Sequence, residues 1–261
     1  MGTALITGAS SGIGEKFAYE LARQHYDLVL VARRQERLNV VARKAKDLGS
    51  NRTEIVPIDL GRFGAPLELQ AHLAAASIEV DYLINNAGFG TTGRFDRLPL
   101  QREIEEIELN VSALVALTRL FLPAMIERRH GTIINVASTA AFQPIPYMAT
   151  YGATKAFVLS FTEAVSVEAR GTGVRILALC PGPVRTEFQA VAKNENGLMP
   201  SFAYLEPEAV VKEAVTAAER GKRVRINGVM NRVGAVAARL FPRALVTSIA
   251  GRIYRDAGIT D

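Results

Sequence analysis

Short apolar runs alternate with longer helical patterns along this sequence, and that alternation restricts the possible folds more than any other feature. Strands are predicted at 3–7, 27–32, 54–58, 81–85, 131–138 and 174–180, and helices near 13–24, 34–48, 64–76, 99–129 and 150–170. Strand–helix alternation predicts a parallel sheet with helices on both of its faces. Several strands are apolar on both sides, as buried parallel strands are. We therefore expect an α/β fold with a doubly wound parallel sheet in a single domain.

Composition excludes several classes of protein. The 261 residues are 49% hydrophobic and 22% charged, as in globular proteins, and a single cysteine, Cys180, excludes a disulfide framework and should lie in the core. No leader and no apolar run of roughly 20 residues is evident, so we expect a cytoplasmic protein. The net charge is +5, but the basic residues are scattered along the sequence and Trp is absent, so we expect no nucleic-acid partner. His25, His72 and His130 lack partners at ligand spacing, so we expect no metal.

The first predicted strand runs directly into a glycine-rich turn, TGASSGIGE (7–15), which opens a helix. Glycines at positions 8, 12 and 14 let the backbone approach a pyrophosphate closely, and the free N–H groups of a helix start favour an anion. The alternative is a turn that serves only tight strand–helix packing. The position after a strand and before a helix favours a dinucleotide site.

The second predicted strand ends in Ala32 and is followed by two arginines, Arg33 and Arg34. Sites for NAD usually place an acidic residue near this point to hold the ribose 2′-hydroxyl. A guanidinium would instead bind a 2′-phosphate. The arginines could also be solvated side chains at a helix start, although positive charge is mildly unfavourable there. The pattern favours NADP(H) over NAD(H).

A predicted helix begins with YGATK (151–155), which places Tyr151 and Lys155 one turn apart on the same face. Such a pair occurs by chance in many helices. Likewise, Ser138 alone is typical of a loop or cap residue, and Asn110 alone is typical of a solvated helix side chain. Only their joint occurrence indicates a catalytic site.

Together these motifs resemble the short-chain dehydrogenase/reductases, in their compact single-domain branch, over nearly the whole length of the chain. The matching motifs follow the family's order: TGASSGIG (7–14), Asp59, NNAG (85–88), Asn110, Ser138, YGATK (151–155) and PGPVRT (181–186). The resemblance implies a Rossmann fold and an NADP(H)-dependent enzyme that reduces a ketone or aldehyde to an alcohol, or runs the reverse reaction.

The resemblance also implies roles for individual residues. Ser138, Tyr151 and Lys155 would be the catalytic trio, and Asn110 would hold a water in a proton relay. Asp59 would contact the adenine, and the PGPVRT segment would position the nicotinamide carboxamide. The implied cofactor contacts are Gly8, Ser10, Ser11, Gly12, Ile13, Gly14, Arg33, Arg34, Asp59, Leu60, Asn86, Ala87, Gly88, Tyr151, Lys155, Pro181, Gly182, Val184 and Thr186.

These residue types suit hydride transfer to a carbonyl, because the developing alkoxide needs a proton and hydrogen-bond donors. Tyr151 can act as general acid/base, and we expect the Lys155 ammonium to lower the tyrosine pKa. Ser138 ends a strand, where doubly wound sheets place their ligands, and can orient the substrate oxygen.

The predicted organisation is a cofactor-binding and catalytic domain over 1–228, with a substrate lid at about 185–206, followed by a tail over 229–261. Apolar side chains in the lid, in 89–95 and in 142–148 favour a hydrophobic carbonyl substrate. Two alternatives remain open: a 3-oxoacyl thioester reductase of lipid metabolism, and a non-catalytic NADP(H)-sensing regulator.

The tail is basic and amphipathic. Apolar residues from Val233 to Ile253 recur at helical spacing with arginines between them, and Pro242 should break the helix. Such a helix can lie on an anionic membrane surface, which predicts weak membrane-peripheral association. Packing on the protein's own body or on another subunit is the alternative. The family resemblance also implies a homodimer or homotetramer.

Overall fold

Seven parallel strands form one sheet at the centre of the protein. The computed structural model describes residues 2–188, 192 and 204–256. The strands are β1 (Thr3–Thr7), β2 (Asp27–Ala32), β3 (Thr53–Pro57), β4 (Tyr82–Asn85), β5 (Gly131–Val136), β6 (Val174–Cys180) and β7 (Val224–Ile226). They lie in the order β3-β2-β1-β4-β5-β6-β7, with every neighbouring pair parallel.

Helices cover both faces of this sheet. They are α1 (Gly12–Arg23), α2 (Gln35–Asp47), α3 (Ala65–Ala75), α4 (Leu100–Ile107), α5 (Ala113–Glu127), α6 (Ala149–Glu168), α7 (Pro207–Glu219), α8 (Val229–Leu240) and α9 (Arg243–Asp256). Strand β1 shows how the two layers form, because Ile6 packs with Phe17 of α1 on one face and Leu5 packs with Leu69 of α3 on the other. The α/β fold with a doubly wound sheet in one domain is confirmed.

The strand order reverses between β1 and β4, because the chain first builds β1 to β3 in one direction and then returns to the other side of β1. In open α/β sheets the crevice beyond the carboxyl ends of the strands at such a point is the usual ligand site. The glycine-rich turn after β1 and the NNAG segment after β4 therefore meet at this crevice.

One predicted element differs from the structure, and two observed elements were not predicted. The single helix expected near 99–129 is α4 and α5 joined by a π-helical turn, Glu108–Ser112. Strand β7 and helix α7 were not predicted at all. The break expected at Pro242 is present, since α8 ends at Leu240 and α9 begins at Arg243.

The stretch Leu100–Glu127 is long and apolar enough to cross a membrane by length and composition alone, which the sequence reasoning did not expect. Within this stretch, however, α5 packs against α3, β4 and β5, and Leu114 and Leu117 are buried in the core. The core helix of an α/β sheet passes the same test, so this stretch is weak evidence for a membrane span.

Candidate active site

A cavity of about 1300 Å³ lies beyond the carboxyl ends of the strands. Most of the predicted site residues line it: Gly8, Ser10, Ser11, Gly12, Ile13, Arg33, Arg34, Asp59, Leu60, Asn86, Ala87, Gly88, Ser138, Tyr151, Lys155, Pro181, Gly182, Val184 and Thr186. Gly14 and Asn110 do not line the cavity and instead support residues that do. The fold thus brings the predicted cofactor and catalytic residues to one place.

The glycine-rich turn after β1 is a cradle that side chains would fill. Gly8 has φ +67°, and a Cβ there would lie 2.7 Å from Nδ2 of Asn86. A Cβ on Gly14 would lie 2.4 Å from the Gly8 carbonyl oxygen. The Asn86 amide donates to the Thr7 carbonyl oxygen at 2.9 Å, which ties the turn to the end of β4. Bare backbone at the start of α1 fits a pyrophosphate, which needs N–H groups at close range.

Arg34 lies directly over this cradle. Its Nη2 donates to the hydroxyl oxygens of Ser10 (3.2 Å) and Ser11 (3.0 Å) and to Glu187 Oε2 (2.8 Å). Arg37, which the sequence reasoning missed, also donates to Glu187, at 3.1 Å. A phosphate bound here would therefore compete with the Glu187 carboxylate for two guanidinium groups.

Arg33 takes a different position from Arg34. Its side chain is 65% exposed and its Nη1 lies 3.7 Å from Asp59 Oδ2. Asp59 also accepts from the Gly61 N–H at 3.1 Å, which fixes the turn after β3. Arg33 and Arg34 thus both line the cavity but contact different parts of the protein.

The proposed proton donor is assembled from β5 and α6. Ser138 follows β5 and caps the short 3₁₀ helix Thr139–Phe142, where its Oγ accepts the Ala140 N–H at 3.1 Å. Ser138 is therefore a cap residue, and it also lines the cavity. Tyr151 and Lys155 lie in the first two turns of α6, on the face toward the cavity.

Burial controls the acid–base properties of this pair. It raises the pKa of Tyr151, and the hydrogen bond with Ser138 offsets this only in part. Burial lowers the pKa of Lys155 to about 8, and the carboxylate of Glu106 opposes that shift. Lys155 Nζ donates to the Val136 carbonyl oxygen at 2.8 Å and lies 5.8 Å from the Tyr151 ring centroid. We expected the Lys155 ammonium to lower the tyrosine pKa, but in the structure desolvation is the larger effect and the pKa of Tyr151 is raised on balance.

Asn110 is buried in the π-helical turn between α4 and α5. Its Nδ2 donates to the Phe89 carbonyl oxygen (2.8 Å) and to Thr154 Oγ1 (3.1 Å), and its Oδ1 accepts the Phe89 N–H (3.1 Å). The side chain is therefore not solvated; it ties the loop after β4 to α6. A Cβ on Gly88 would lie 2.7 Å from Asn110 Oδ1 and 3.5 Å from Lys155 Nζ, so only glycine lets these groups come so close.

Two buried carboxylates lie behind this site and were missed from the sequence. Thr91 Oγ1 is 2.6 Å from Glu103 Oε1 and 2.8 Å from Glu106 Oε2. The Thr150 hydroxyl also donates to Glu103. Burial raises the pKa of Glu106 to about 7, and the neighbouring Glu103 adds to the shift. A run such as EIEEIE is typical of a solvated helix face, so no signal in the sequence distinguished the two buried members.

The substrate side of the cavity is apolar. The ring of Phe188 lies 5.2 Å from the ring of Tyr151, centroid to centroid. Phe89, Ile145 and Met148, from the two segments predicted as apolar surface, also line the cavity. The lid predicted over 185–206 lies largely outside the described residues.

Helices α8 and α9 form the outer part of the same wall. Their lining residues are Val229, Met230, Asn231, Gly234, Ala235, Ala237, Ala238, Phe241, Leu245, Val246, Ile249, Ala250, Ile253 and Tyr254. The Tyr254 hydroxyl contacts the Met148 sulfur at 3.3 Å, and its ring stacks on Tyr147 at 6.5 Å. We expected this segment to be a tail packed on the protein's own body, on another subunit or on a membrane, and in the structure its residues help to enclose the cavity.

Within the described ranges, no group of three or more His, Cys, Asp or Glu side chains could hold a metal ion. Cys180 is fully buried at the end of β6.

Comparisons with known proteins agree with this geometry. The family model for short chain dehydrogenase matches residues 2–197. A very-long-chain 3-oxoacyl-CoA reductase-B of Danio rerio is 31% identical over 249 residues, which cover 93% of this chain and 77% of the relative. The ketoacyl reductase HetN of Nostoc sp. is 32% identical over 262 residues, which cover 99% of this chain and 90% of the relative.

A solved structure shows the same fold at full length. The short-chain dehydrogenase from Sphingobium yanoikuyae in complex with NADPH superposes with a TM-score of 0.81 at 32% identity, covering 92% of this chain and 94% of that one. Family model, relatives and fold agree, and the chain therefore belongs to the short-chain dehydrogenase family of oxidoreductases.

Proposed function

We propose that the protein uses NADP(H) to reduce a hydrophobic ketone or aldehyde to an alcohol, or catalyses the reverse reaction. One observation carries the proposal: Tyr151, which lines the cavity together with Ser138 and lies one turn from Lys155, sits between a bare glycine cradle and an apolar wall. A cofactor in the cradle and a carbonyl against the wall would meet at the tyrosine hydroxyl.

The residues present fit NADP(H). The Gly8–Gly14 cradle leaves backbone N–H groups for the pyrophosphate, and Arg34 and Arg37 lie beside it for the 2′-phosphate. Ala32, Arg33 and Arg34 occupy the end of β2 and the two positions after it, where NAD sites usually place an acidic side chain for the ribose hydroxyl. When bound, the nicotinamide supplies or accepts a hydride.

The chain's own residues supply the proton and the positioning. The Tyr151 phenol, kept neutral by burial, donates its proton to the carbonyl oxygen as negative charge develops there. The Ser138 hydroxyl is placed to hold that oxygen. Lys155, held by the Val136 carbonyl oxygen, supplies positive charge that favours the phenolate left behind. The apolar wall excludes water from the reacting atoms.

A second candidate substrate is a 3-oxoacyl thioester. It is supported by the depth of the apolar wall, which continues past Tyr151 along α8 and α9, and by the names of two relatives. Free ketones and carrier-linked 3-oxoacyl substrates assayed side by side would separate the two candidates.

The test is NADPH consumption with a panel of aromatic, aliphatic and steroid-like carbonyls, with NADH in parallel. We expect turnover with NADPH, and we expect Tyr151→Phe to lower kcat by about 100-fold to 10,000-fold, the usual contribution of a general acid. Cofactor binding, measured by NADPH fluorescence, should be unchanged. Tyr26→Phe, which packs on Tyr82 and does not line the cavity, is the matched control and should retain activity. Binding without turnover on any substrate would favour the cofactor-sensing regulator, and preference for NADH would contradict the role of Arg34.

Oligomeric state and location are proposals too. We expect a cytoplasmic homodimer or homotetramer, supported by apolar side chains exposed on the long helices: Ile104, Ile107, Phe157 and Val167. Sedimentation equilibrium would measure the mass, and a monomer at all concentrations would exclude the assembly.

A further inference from the structure

Three apolar side chains of α8 point away from the protein in one line. Val233, Val236 and Leu240 are 58%, 56% and 78% exposed, and their spacing of three and four residues places them on one stripe. None of them lines the cavity, and the helix packs on the protein through other positions, such as the buried Ala235. A globular helix normally buries such a stripe, so this one indicates a binding surface.

The stripe continues to the opening of the cavity. Phe241, Leu245 and Ile249 are 57%, 48% and 51% exposed although they line the cavity, which places them at its rim. Apolar surface therefore extends from the outer side of α8 to the rim beside α9. We refer to residues 232–255, with this stripe and rim, as the α8–α9 face.

The charge of the α8–α9 face is entirely positive. Arg232, Arg243, Arg252 and Arg255 are exposed, and none forms an ion pair with a side chain in the described part of the chain. The sequence contains no Asp or Glu between Arg220 and Arg255. Arg239 lies with its guanidinium carbon 5.0 Å from the Phe142 ring centroid, which anchors α8 to the body.

Two occupants could cover an apolar face, and the charge distinguishes them. A second copy of the chain packed face to face would bring two sets of unpaired arginines together, and like charges across an interface are costly. An anionic lipid surface matches both features, because apolar side chains enter the acyl boundary while arginines reach phosphate groups. We propose that the α8–α9 face binds the surface of an anionic lipid bilayer and thereby places the cavity rim against the lipid.

The test is sedimentation of the full chain with vesicles of phosphatidylcholine containing phosphatidylglycerol, compared with vesicles of phosphatidylcholine alone. We expect binding to the anionic vesicles only, weakened by salt. Val236→Glu combined with Leu240→Glu should lower the partition coefficient at least about tenfold, because two apolar side chains lose their site. Arg232→Gln and Arg243→Gln should each lower it about fivefold.

The control is Phe63→Glu, the same kind of change at a 98% exposed side chain near the opposite edge of the sheet, and it should bind vesicles nearly as the unmodified chain does. Unfolding temperature and turnover of a water-soluble carbonyl confirm that each variant is folded. Vesicle binding is read without turnover, so it stands or fails independently of the proposed reaction. The proposal is overturned if the unmodified chain does not bind anionic vesicles, or if the double variant binds them as well as the unmodified chain does. It is also overturned if the double variant converts a dimer to a monomer, because the α8–α9 face would then be a subunit interface.

Discussion

At the scale of single residues, one hydroxyl, that of Thr91, lies between two buried carboxylates behind the candidate active site. Thr91 carries one hydroxyl hydrogen, yet its oxygen is within hydrogen-bond distance of both Glu103 and Glu106. Both contacts can be hydrogen bonds only if one carboxyl group holds a proton and donates it to the threonine oxygen. Oε1 of Glu106, buried with no hydrogen-bond partner among the described atoms, also favours the protonated form.

This pair predicts a pH-dependent stability. The pKa of Glu106 rises from 4.5 to about 7 on folding, so the folded state keeps a proton that the unfolded state releases. Stability is therefore lost as the pH rises from about 4.5 to about 7, by up to about 3 kcal/mol. Glu106→Gln has no proton to release, so its free energy of unfolding relative to the unmodified chain should increase over this range. Urea unfolding at several pH values measures the difference.

The control is Glu108→Gln, an exposed carboxylate on the same stretch of helix, whose pH profile should follow that of the unmodified chain. Parallel profiles for Glu106→Gln and the unmodified chain would contradict a buried, protonated Glu106.

The buried glutamates also show a limit of sequence reasoning. The order of the motifs singled out Tyr151, Lys155 and Ser138 as candidate site residues, and all three line the cavity. For a glutamate on a charged helix, no feature of the sequence indicates that its side chain is buried.

At the scale of elements, sequence reasoning succeeded where apolar periodicity is strong and failed where it is uninformative. Strands β1 and β6 were predicted to the residue, because each is built around a run of apolar residues. The π-helical turn was missed because apolar residues continue through it, so the 99–129 pattern looks like one helix. Strand β7 has only three residues, too few for a pattern to emerge. The first failure affects the position of Asn110, which lies in the π-helical turn. The second affects the sheet edge at β7, after which α8 begins.

Two helical glycines predict opposite effects of one substitution. Gly14→Ala in α1 would place a Cβ 2.4 Å from the Gly8 carbonyl oxygen, whereas Gly234→Ala in α8 would place it in open space. We expect Gly14→Ala to lower the free energy of unfolding by about 1–3 kcal/mol and to weaken NADPH binding, because the cradle must shift. Gly234→Ala should raise stability by up to about 1 kcal/mol through helix propensity. Urea unfolding and NADPH titration compare the pair, and equal losses of stability would refute this reading.

At the scale of the whole molecule, the cavity joins parts of the chain that are far apart in sequence. The cradle comes from the first strand and helix, the proposed proton donor and Ser138 from α6 and the end of β5, and the outer wall from α8 and α9. Sequence reasoning could not foresee this wall, because a helical pattern of apolar residues and arginines does not reveal which stripe meets the body. Helix α9 illustrates the difficulty: one side lines the cavity and another lines a separate depression of about 610 Å³ beside Arg94 and Pro146.

Two neighbouring residues on α9 therefore allow a matched test of whether this helix forms part of the substrate wall. Val246 lines the cavity, while Thr247 lines the separate depression. Val246→Asp should lower kcat/KM for the most apolar substrate of the carbonyl panel about tenfold, because a charge now borders the apolar site. Its kcat/KM for a short, water-soluble carbonyl should change little. Thr247→Asp introduces the same side chain one position away and should leave both values near those of the unmodified chain; equal losses in the two variants would argue against α9 as the substrate wall.

The order of the elements along the chain has a consequence for biosynthesis, because α8 and α9 follow all seven strands. A polypeptide leaves the ribosome from its N-terminus, so the cradle, all seven strands and the Tyr151–Lys155 pair exist before the outer wall is made. Translation that stops after Ile226, or proteolysis at the Ile226–Val229 junction, would yield a protein able to sequester the nucleotide without enclosing its reaction partner. Such a product would bind the nucleotide without catalysing the reaction. A nascent chain would therefore become active only once these two helices have been synthesised.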